Sequence, residues 1–136
     1  MSAPAGFAWP VRVYCEDTDA GGIVFYANYL KFFERARTEW LRSLGVAQGA
    51  LREATGGMFV VGETSVRYLR PARLDDELLV TAQLQAAGRA SLIIAQTARR
   101  DGELLAEGSI RIGWVDAETL RPGRIPAAIL QVLNKE

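Results

Sequence analysis

The sequence contains no histidine among its 136 residues. This absence excludes the usual forms of a Ser-His-Asp triad, a Cys-His nucleophile pair, a histidine metal site and a histidine-dependent dehydratase. Any acid–base or nucleophilic chemistry must therefore fall to Asp, Glu, Lys, Tyr or Cys side chains, or to a water molecule that they orient.

Cysteine is almost as scarce, since Cys15 is the only one. A lone cysteine forms no internal disulfide and cannot supply a thiolate cage for zinc, which is typical of proteins from a reducing compartment. The adjacent acids Glu16 and Asp17 would disfavour a thiolate, and no lysine adjoins Cys15 to stabilise one. We therefore do not expect Cys15 to act as a nucleophile.

Long apolar runs and an excess of charge of one sign are also missing. Sixteen basic and sixteen acidic residues cancel, which gives no indication of a nucleic acid or an anionic membrane as partner. No apolar run approaches the roughly 18 residues of a membrane span, and no signal-peptide pattern opens the sequence. With 49% hydrophobic residues, we expect one cytoplasmic domain over residues 1–136, with residues 1–8 as a loose tail and no metal or cofactor.

The first half of the sequence predicts a short strand and a long helix. Apolar residues alternate from Val11 to Cys15, which is typical of a strand. From Tyr26 to Leu44 they recur three and four positions apart, which predicts a helix with one apolar face. Gly45 stands where a C′ glycine would end that helix, and a shorter helix is predicted from Gln48 to Ala54.

The second half of the sequence changes to the period of β-strands. Short turns at Gly88-Arg89 and Asp101-Gly102 predict a meander, and Pro126 can open a final helix from Ala127 to Leu133. The four predicted strands are Phe59 to Leu69, Glu77 to Ala86, Ala90 to Arg99 and Leu104 to Val115. This order of elements predicts an α+β protein in which an antiparallel sheet wraps around a long central helix, as in the hotdog fold.

The acidic loop E-D-T-D-A-G-G-I-V at residues 16–24 is the most informative segment. Gly21 and Gly22 allow the backbone to approach a ligand closely or to adopt a positive φ. The helix that follows directs unpaired N–H groups toward the loop, so a substrate carbonyl could lie between those donors and a carboxylate. The alternative is that Asp17 and Asp19 are only turn formers.

Four segments together resemble the 4-hydroxybenzoyl-CoA thioesterase family, in particular its Tol-Pal-associated branch. They are the acidic loop, Y-A-N-Y-L-K-F-F-E-R-A-R-T-E-W-L-R at residues 26–42, Y-L-R-P-A-R-L-D-D at residues 68–76 and G-R-A-S-L at residues 88–92, and they span nearly the whole sequence in order. The resemblance implies a hotdog fold and hydrolysis of an acyl-CoA substrate. It also implies homodimers or homotetramers with sites at subunit interfaces.

The same resemblance assigns roles to two residues near the loop. Asp19 matches the catalytic carboxylate of the family, whereas Asp17 does not. Tyr26 stands where a backbone N–H of the family polarises the thioester, although the Tol-Pal-associated branch commonly has histidine there, and this departure bears on substrate preference. Two alternatives remain, in which Tyr26 is only a core aromatic residue, or the helix begins two residues later with Asn28 as its N-cap.

Coenzyme A carries phosphates, for which arginine side chains are well suited. The candidates for binding it are Arg70, Arg73, Arg89 and the hydroxyl of Ser91, with Arg99 or Arg100 as a further arginine. Arg89 and Ser91 rest on their positions in the G-R-A-S-L segment. Arg70 and Arg73 fit equally well a pairing with Asp75 and Asp76.

The chemistry of a thioester explains why this set of residues is suited to it. A backbone N–H at a helix N-terminus stabilises the negative charge that develops on the carbonyl oxygen. Asp19 can then attack to give an acyl anhydride or can deprotonate water, and both routes stay open.

Glu63 lies near the region where related hotdog enzymes place an auxiliary acid. A non-catalytic module that binds acyl-CoA or acyl-carrier protein, linked to lipid or envelope machinery, would keep the pocket without needing Asp19.

Overall fold

A computed structural model of the chain describes residues 6–134. Within this range a short 3-10 turn at Cys15–Asp17 separates the first strand from the first helix. The regular elements are, in order, β1 (Phe7–Arg12), α1 (Asn28–Ser43), α2 (Gln48–Thr55), β2 (Gly57–Tyr68), β3 (Glu77–Ala87), β4 (Ser91–Arg100), β5 (Glu103–Asp116) and α3 (Ala127–Asn134). The predicted order of one strand, two helices, four strands and a final helix is confirmed.

The strands form one antiparallel sheet in the order β1-β3-β4-β5-β2. β3, β4 and β5 form a meander, whereas β2, which was predicted to be its first strand, pairs with β5 instead of β3. The second turn of the meander has positive φ at both Asp101 (50°) and Gly102 (83°), as tight hairpin turns require. Gly88 closes the first turn by donating to the carbonyl oxygen of Ser91 at 2.8 Å. β1 and β2 are left as the two edge strands.

Helix α1 lies across the inner face of the sheet because its apolar stripe faces that way. The side chains of this stripe are almost completely buried: Phe32, Phe33, Ala36, Trp40 and Leu41. The helix approaches the sheet closely at Gly108, where an added Cβ would lie 3.2 Å from the ring of Phe33. Burying each large apolar side chain stabilises the fold by roughly 1.5–3 kcal/mol, so this packing fixes α1 on the sheet.

The C-terminal end of α1 follows the prediction, whereas its beginning does not. Gly45 has a φ of +85°, and the N–H groups of Gly45 and Val46 bond to the carbonyls of Arg42 and Leu41, at 3.0 and 2.8 Å. This is the expected helix stop at a C′ glycine. The helix begins at Asn28, two residues later than the predicted start at Tyr26.

The first strand also differs from the prediction. β1 pairs with β3 from Phe7 to Arg12, so the predicted strand from Val11 to Cys15 is displaced. The chain turns away from the sheet after Arg12. The N–H of Val13 donates to the carbonyl oxygen of Asp76 and that of Tyr14 to the carboxylate of Asp17, so neither bonds to β3. Phe7 and Ala8, which were predicted to belong to a loose tail, are part of the sheet. Of the rest of that tail, Gly6 forms a bend before β1, and residues 1–5 lie outside the described residues.

One charged residue of α1 is buried. Arg37 is 8% exposed and donates to Oε1 of Gln96 at 3.0 Å. Gln96 is 1% exposed, and its amide donates to the carbonyl oxygens of Phe33 (2.9 Å) and Thr81 (3.2 Å). Burial lowers the pKa of Arg37, which the charge of Glu34 partly offsets. These bonds connect α1 to β3 and β4.

Candidate active site

The acidic loop between β1 and α1 folds back on itself as a small hairpin. Thr18 pairs with Val24, and the N–H of Asp19 donates to the carbonyl oxygen of Ile23 at 2.8 Å. Gly22 occupies the bend with a φ of +80°, which a residue with a Cβ resists. The hairpin therefore holds Asp19 at a defined position, close to the residues that lead into α1.

The exposed carboxylate of Asp19 has one engaged and one available oxygen. Oδ1 accepts the N–H of Gly21 at 2.8 Å, as in a turn that an Asp side chain stabilises. Among residues 6–134, Oδ2 accepts no hydrogen bond, so it is available to a ligand or to water. Within that same range, no group of three or more Cys, Asp or Glu side chains could hold a metal ion. A turn-forming role for Asp19 is thus compatible with a chemical one.

Asp17 connects the loop to the helix and is 6% exposed. Its Oδ2 accepts the N–H of Tyr14 at 2.8 Å. Its backbone carbonyl accepts the N–H of Phe25 at 2.9 Å and the side-chain amide of Asn28 at 2.8 Å. Both the carboxylate and the backbone carbonyl of Asp17 therefore have hydrogen-bond partners within the chain. Asn28 is the first residue of the helix, and the N-cap is Ala27.

Two N–H groups just before the first residue of the helix are available to a ligand. The N–H of Asn28 donates to the carbonyl of Phe25 at 2.9 Å, and that of Tyr29 to the carbonyl of Tyr26 at 3.3 Å. Across the described residues, the N–H groups of Tyr26 and Ala27 donate to no protein acceptor. They lie at the positive end of the helix dipole, which attracts negative charge.

A cleft of about 240 Å³ opens beside these donors, between the loop, α1 and the end of β2. Tyr26 lines it and is 63% exposed, so it is not a core residue. Its ring contacts that of Tyr68 edge-on, with centroids 6.0 Å apart, and Tyr68 in turn contacts Tyr29 at 5.4 Å. Three contacting aromatic rings therefore form one part of the cleft wall.

Arg70 and Arg73 lie on the segment that runs alongside the loop. Ile23 of the loop forms a β-bridge with Arg73, and Arg70 lines the cleft. The Nε of Arg70 lies 3.4 Å from a carboxylate oxygen of Glu103, an exposed pair of the kind that contributes little stability. In the described part of the chain, the guanidinium of Arg73 forms no ion pair.

Asp76 of this segment pairs with Arg100, which the sequence offered as a candidate for binding phosphate. Oδ2 of Asp76 accepts Nη1 of Arg100 at 2.7 Å and the backbone N–H of Arg73 at 2.8 Å. Arg100 also donates to Glu103 at 2.8 Å and to the carbonyl of Pro71 at 3.2 Å. Burial alone would raise the pKa of Asp76, but the bonds from Arg100 and Arg73 outweigh it and lower that pKa. The network fixes the segment that supports the loop.

The other predicted residues lie elsewhere in the chain. Arg89 and Ser91 belong to the β3–β4 hairpin, at the far end of β3 from the acidic loop, about 36 Å along the strand. Glu63 is exposed at a bulge in β2, five residues before Tyr68 and about 17 Å along the strand. One chain therefore groups Asp19 and Tyr26 with the two arginines of the adjacent segment, but not with these three residues.

A larger cavity of about 540 Å³ lies between α1 and the edge strand β2. Its apolar walls are Leu30, Val61 and Ile110, and the charged side chains of Lys31 and Glu34 lie at its rim. Leu30 and Val61 are exposed in the chain by itself. The sequence analysis did not identify this cavity, because it forms where two elements meet that are distant in sequence.

Known proteins resemble this chain in sequence. The sequence pattern of the thioesterase-like superfamily matches residues 13–133. Acyl-CoA thioesterase YbgC of Haemophilus influenzae is 40% identical over 124 residues, which cover 91% of each chain. Acyl-CoA thioester hydrolase YbgC of Escherichia coli O157:H7 is 42% identical over 125 residues, covering 91% of this chain and 92% of that protein.

The likeness extends to solved structures. A thioesterase from Thermus thermophilus, crystallised in complex with coenzyme A and zinc, superposes with a TM-score of 0.83 at 31% identity. The match covers 97% of this chain and 96% of that one. The hotdog architecture predicted from the sequence is thereby confirmed, and so is the resemblance on which it rested.

Proposed function

We infer that this chain, which belongs to the thioesterase-like superfamily, is an acyl-CoA thioester hydrolase. We propose that Asp19 and the N–H groups at the start of α1 carry its chemistry. The observation that most supports this assignment is the available Oδ2 of Asp19 on a hairpin that leads directly to the unpaired donors of Tyr26 and Ala27. A nucleophile or base beside preorganised donors is what cleavage of a thioester requires.

In the proposed reaction the thioester carbonyl oxygen faces the N–H of Tyr26. Negative charge on this oxygen is stabilised as the carbonyl carbon becomes tetrahedral, and one such donor contributes about 2.7–4 kcal/mol to lowering the barrier. Either Oδ2 of Asp19 adds to that carbon, expelling the coenzyme A thiolate and leaving an anhydride that water hydrolyses, or Asp19 takes a proton from a water molecule that adds instead. Label in the Asp19 carboxylate after a single turnover in ¹⁸O-water would identify the anhydride route, because only attack of water on the aspartyl carbon of an anhydride can place it there.

For the coenzyme A portion we propose phosphate contacts from Arg70 and Arg73. Both lie beside the loop, and the exposed partner of Arg70 is easily replaced. Arg89 and Ser91 are too far from the loop along the sheet to serve the same ligand within one chain. We propose that they reach the ligand from another subunit, and that Glu63 acts as an auxiliary acid at a subunit boundary.

We propose assembly into a homodimer or homotetramer. The outward edge of β2 has no partner strand among the described residues, and an unpaired edge is a liability in a monomer. The exposed Leu30 and Val61 lie beside that edge. A second copy related by two-fold symmetry would cover both the edge and these side chains.

We also propose a cytoplasmic location. Cys15 is exposed and free, which is compatible with a reducing compartment. Among residues 6–134, none of the helices combines the length and the apolar character that crossing a bilayer requires.

The test of this function is release of free coenzyme A from short aliphatic, long aliphatic and aromatic acyl-CoAs by wild type and Asp19→Asn. We expect the variant to lose at least about a hundredfold in kcat while ligand binding persists, since it removes the proposed base or nucleophile. Asp116→Asn is the matched control, because Asp116 is another exposed aspartate that accepts backbone N–H groups in a turn.

Two outcomes would contradict the proposal. Wild-type turnover by Asp19→Asn would remove Asp19 from the mechanism. Binding of acyl-CoA without turnover on any substrate by the wild type would instead support the non-catalytic binding module.

A further inference from the structure

Tyr68, the last residue of β2, contacts the start of the central helix. Its hydroxyl donates to the carbonyl oxygen of Tyr26 at 3.1 Å, across 42 positions in sequence. Its ring packs edge-on against Tyr26 and Tyr29, with centroids 6.0 and 5.4 Å apart. The hydroxyl is thus held against one particular peptide group.

That peptide group also contains the N–H of Ala27. A hydrogen bond accepted by a carbonyl polarises the whole peptide group and makes its N–H a stronger donor. The helix itself supplies only a long bond to this carbonyl, from the N–H of Tyr29 at 3.3 Å, so Tyr68 provides the shorter of the two. Within residues 6–134, the N–H of Ala27 has no acceptor of its own.

The preceding peptide group is polarised differently. The carbonyl of Phe25, which shares a peptide group with the N–H of Tyr26, accepts the N–H of Asn28 at 2.9 Å. Two successive donors are therefore left unpaired just before the helix, one in a peptide group polarised by the backbone alone and one in a peptide group that Tyr68 also polarises. A tetrahedral oxyanion has lone pairs for both.

We propose that the N–H of Ala27 is a second donor to the thioester oxygen, and that Tyr68 is the positioning residue that orients and polarises it. This inference rests on the proposed use of the helix start to polarise the thioester. It assigns to Tyr68 a role that no motif in its own segment indicates, since its hydroxyl acts through a peptide group on another element.

The hydroxyl of Tyr68 can serve in this way only while it is protonated. Burial raises the pKa of Tyr68, and the neighbouring Tyr26 raises it further. The phenol therefore remains a hydrogen-bond donor throughout the neutral range.

The first test is the steady-state kinetics of Tyr68→Phe in the full chain, with benzoyl-CoA and butyryl-CoA as substrates. We expect kcat to fall about three- to tenfold with KM changed less than about twofold, since the lost bond acts on developing charge. Tyr14→Phe is the control, because it removes a phenol hydroxyl from an exposed residue near the same loop. Tyr68 is 45% exposed, so we expect the variant to fold, which thermal unfolding verifies.

The second test measures polarisation directly. Benzoyl-CoA with a ¹³C-labelled carbonyl is bound to Asp19→Asn, and its thioester stretch is recorded by infrared difference spectroscopy. We expect the stretch to shift to lower frequency on binding, and this shift to be reduced when Tyr68→Phe is added. Addition of Tyr14→Phe should leave it unchanged.

A purely structural role for Tyr68 would lower the melting temperature without moving kcat or the carbonyl stretch, and that result would overturn the inference. Failure of the proposed function is recognised separately, by turnover that survives Asp19→Asn. If Asp19→Asn is inactive and Tyr68→Phe retains wild-type kcat, the inference alone fails.

Discussion

At the scale of single residues, the proposed site assigns polarisation of the thioester and recognition of the acyl portion to different groups. The proposed donors belong to the backbone, whereas the aromatic part of the cleft wall is made of side chains. Tyr26 contributes to both, through its N–H and through its exposed ring. Changes to that ring should therefore alter the choice of substrate more than the rate of the chemistry.

We predict that Tyr26→His and Tyr26→Phe retain kcat within about threefold on their best substrate. The ratio of kcat/KM for benzoyl-CoA and hexanoyl-CoA should change by about tenfold, which is the usual range when one contact with the acyl group is altered. Steady-state kinetics on the two substrates measures both quantities. A loss of kcat above about a hundredfold on every substrate would mean that the Tyr26 side chain takes part in the reaction.

A second residue-scale prediction concerns Asp76 and pH. Its pKa is lowered in the folded chain by Arg100 and Arg73, against the effect of burial. The stabilisation is therefore present above the ordinary Asp pKa of about 3.9, and is lost as the pH falls through the lower folded value. We expect Asp76→Asn to reduce the free energy of unfolding by about 1–3 kcal/mol at pH 7, and by progressively less below about pH 4.

Urea unfolding at a series of pH values measures this difference. Asp75→Asn is the control, because Asp75 is exposed and its substitution removes the same charge from the neighbouring position. Equal pH profiles for the two variants would show that the Asp76–Arg100 pair contributes no specific stability.

At the scale of elements, the sequence predicts the interiors of helices and strands better than their ends. Tyr26 and Ala27 continue the apolar spacing of α1, so periodicity includes them in the helix. The backbone there instead forms a turn, in which the carbonyl of the preceding residue, Phe25, accepts the N–H of Asn28. Likewise the alternation through Val13 continues beyond β1, where the N–H of Val13 bonds to Asp76 outside the sheet. Periodicity reports which face is buried, whereas hydrogen-bond partners decide where an element ends.

The candidate site likewise combines residues that are contiguous in sequence with residues that are far apart in sequence. The loop of Asp19 is contiguous in sequence, so its glycines and its position before a helix could be recognised there. The hydroxyl of Tyr68 meets Tyr26 across 42 positions, and Arg100 meets Asp76 across 24. Such contacts depend on strand pairing and register, which one sequence does not specify residue by residue.

The buried bonds between α1 and the sheet give a prediction at this scale. Gln96→Leu would leave the guanidinium of Arg37 buried without its acceptor, and would take a donor from the carbonyls of Phe33 and Thr81. We expect a loss of about 2–4 kcal/mol in the free energy of unfolding. Urea unfolding measures it, with Gln83→Leu on an exposed position of β3 as control. A loss no larger than that of the control would mean that Arg37 finds another acceptor.

At the scale of the whole molecule, the proposed assembly through β2 can be tested by a substitution that introduces one charged side chain. We expect Val61→Glu to shift the mass in sedimentation equilibrium to that of a 14.9 kDa monomer, because a carboxylate would be buried against the second copy. Turnover should fall in parallel if the site includes residues of another subunit.

Leu120→Glu is the matched control, since Leu120 is also a large exposed apolar residue but follows β5 rather than lining the cavity. An oligomer that persists in Val61→Glu, or a wild type that is already monomeric, would contradict assembly through this edge.

The opposite edge of the sheet sets a limit on how far such assembly can proceed. β1 carries Pro10, which lacks an N–H, and proline in an edge strand normally turns that missing donor away from its partner strand. The edge at β2 can thus pair with another strand, whereas the hydrogen-bonding edge at β1 is interrupted by Pro10. If two copies pair through β2 as proposed, edge-to-edge addition would stop at a closed pair instead of continuing into a ribbon, so that pairing would not expose the protein to fibre formation at high concentration.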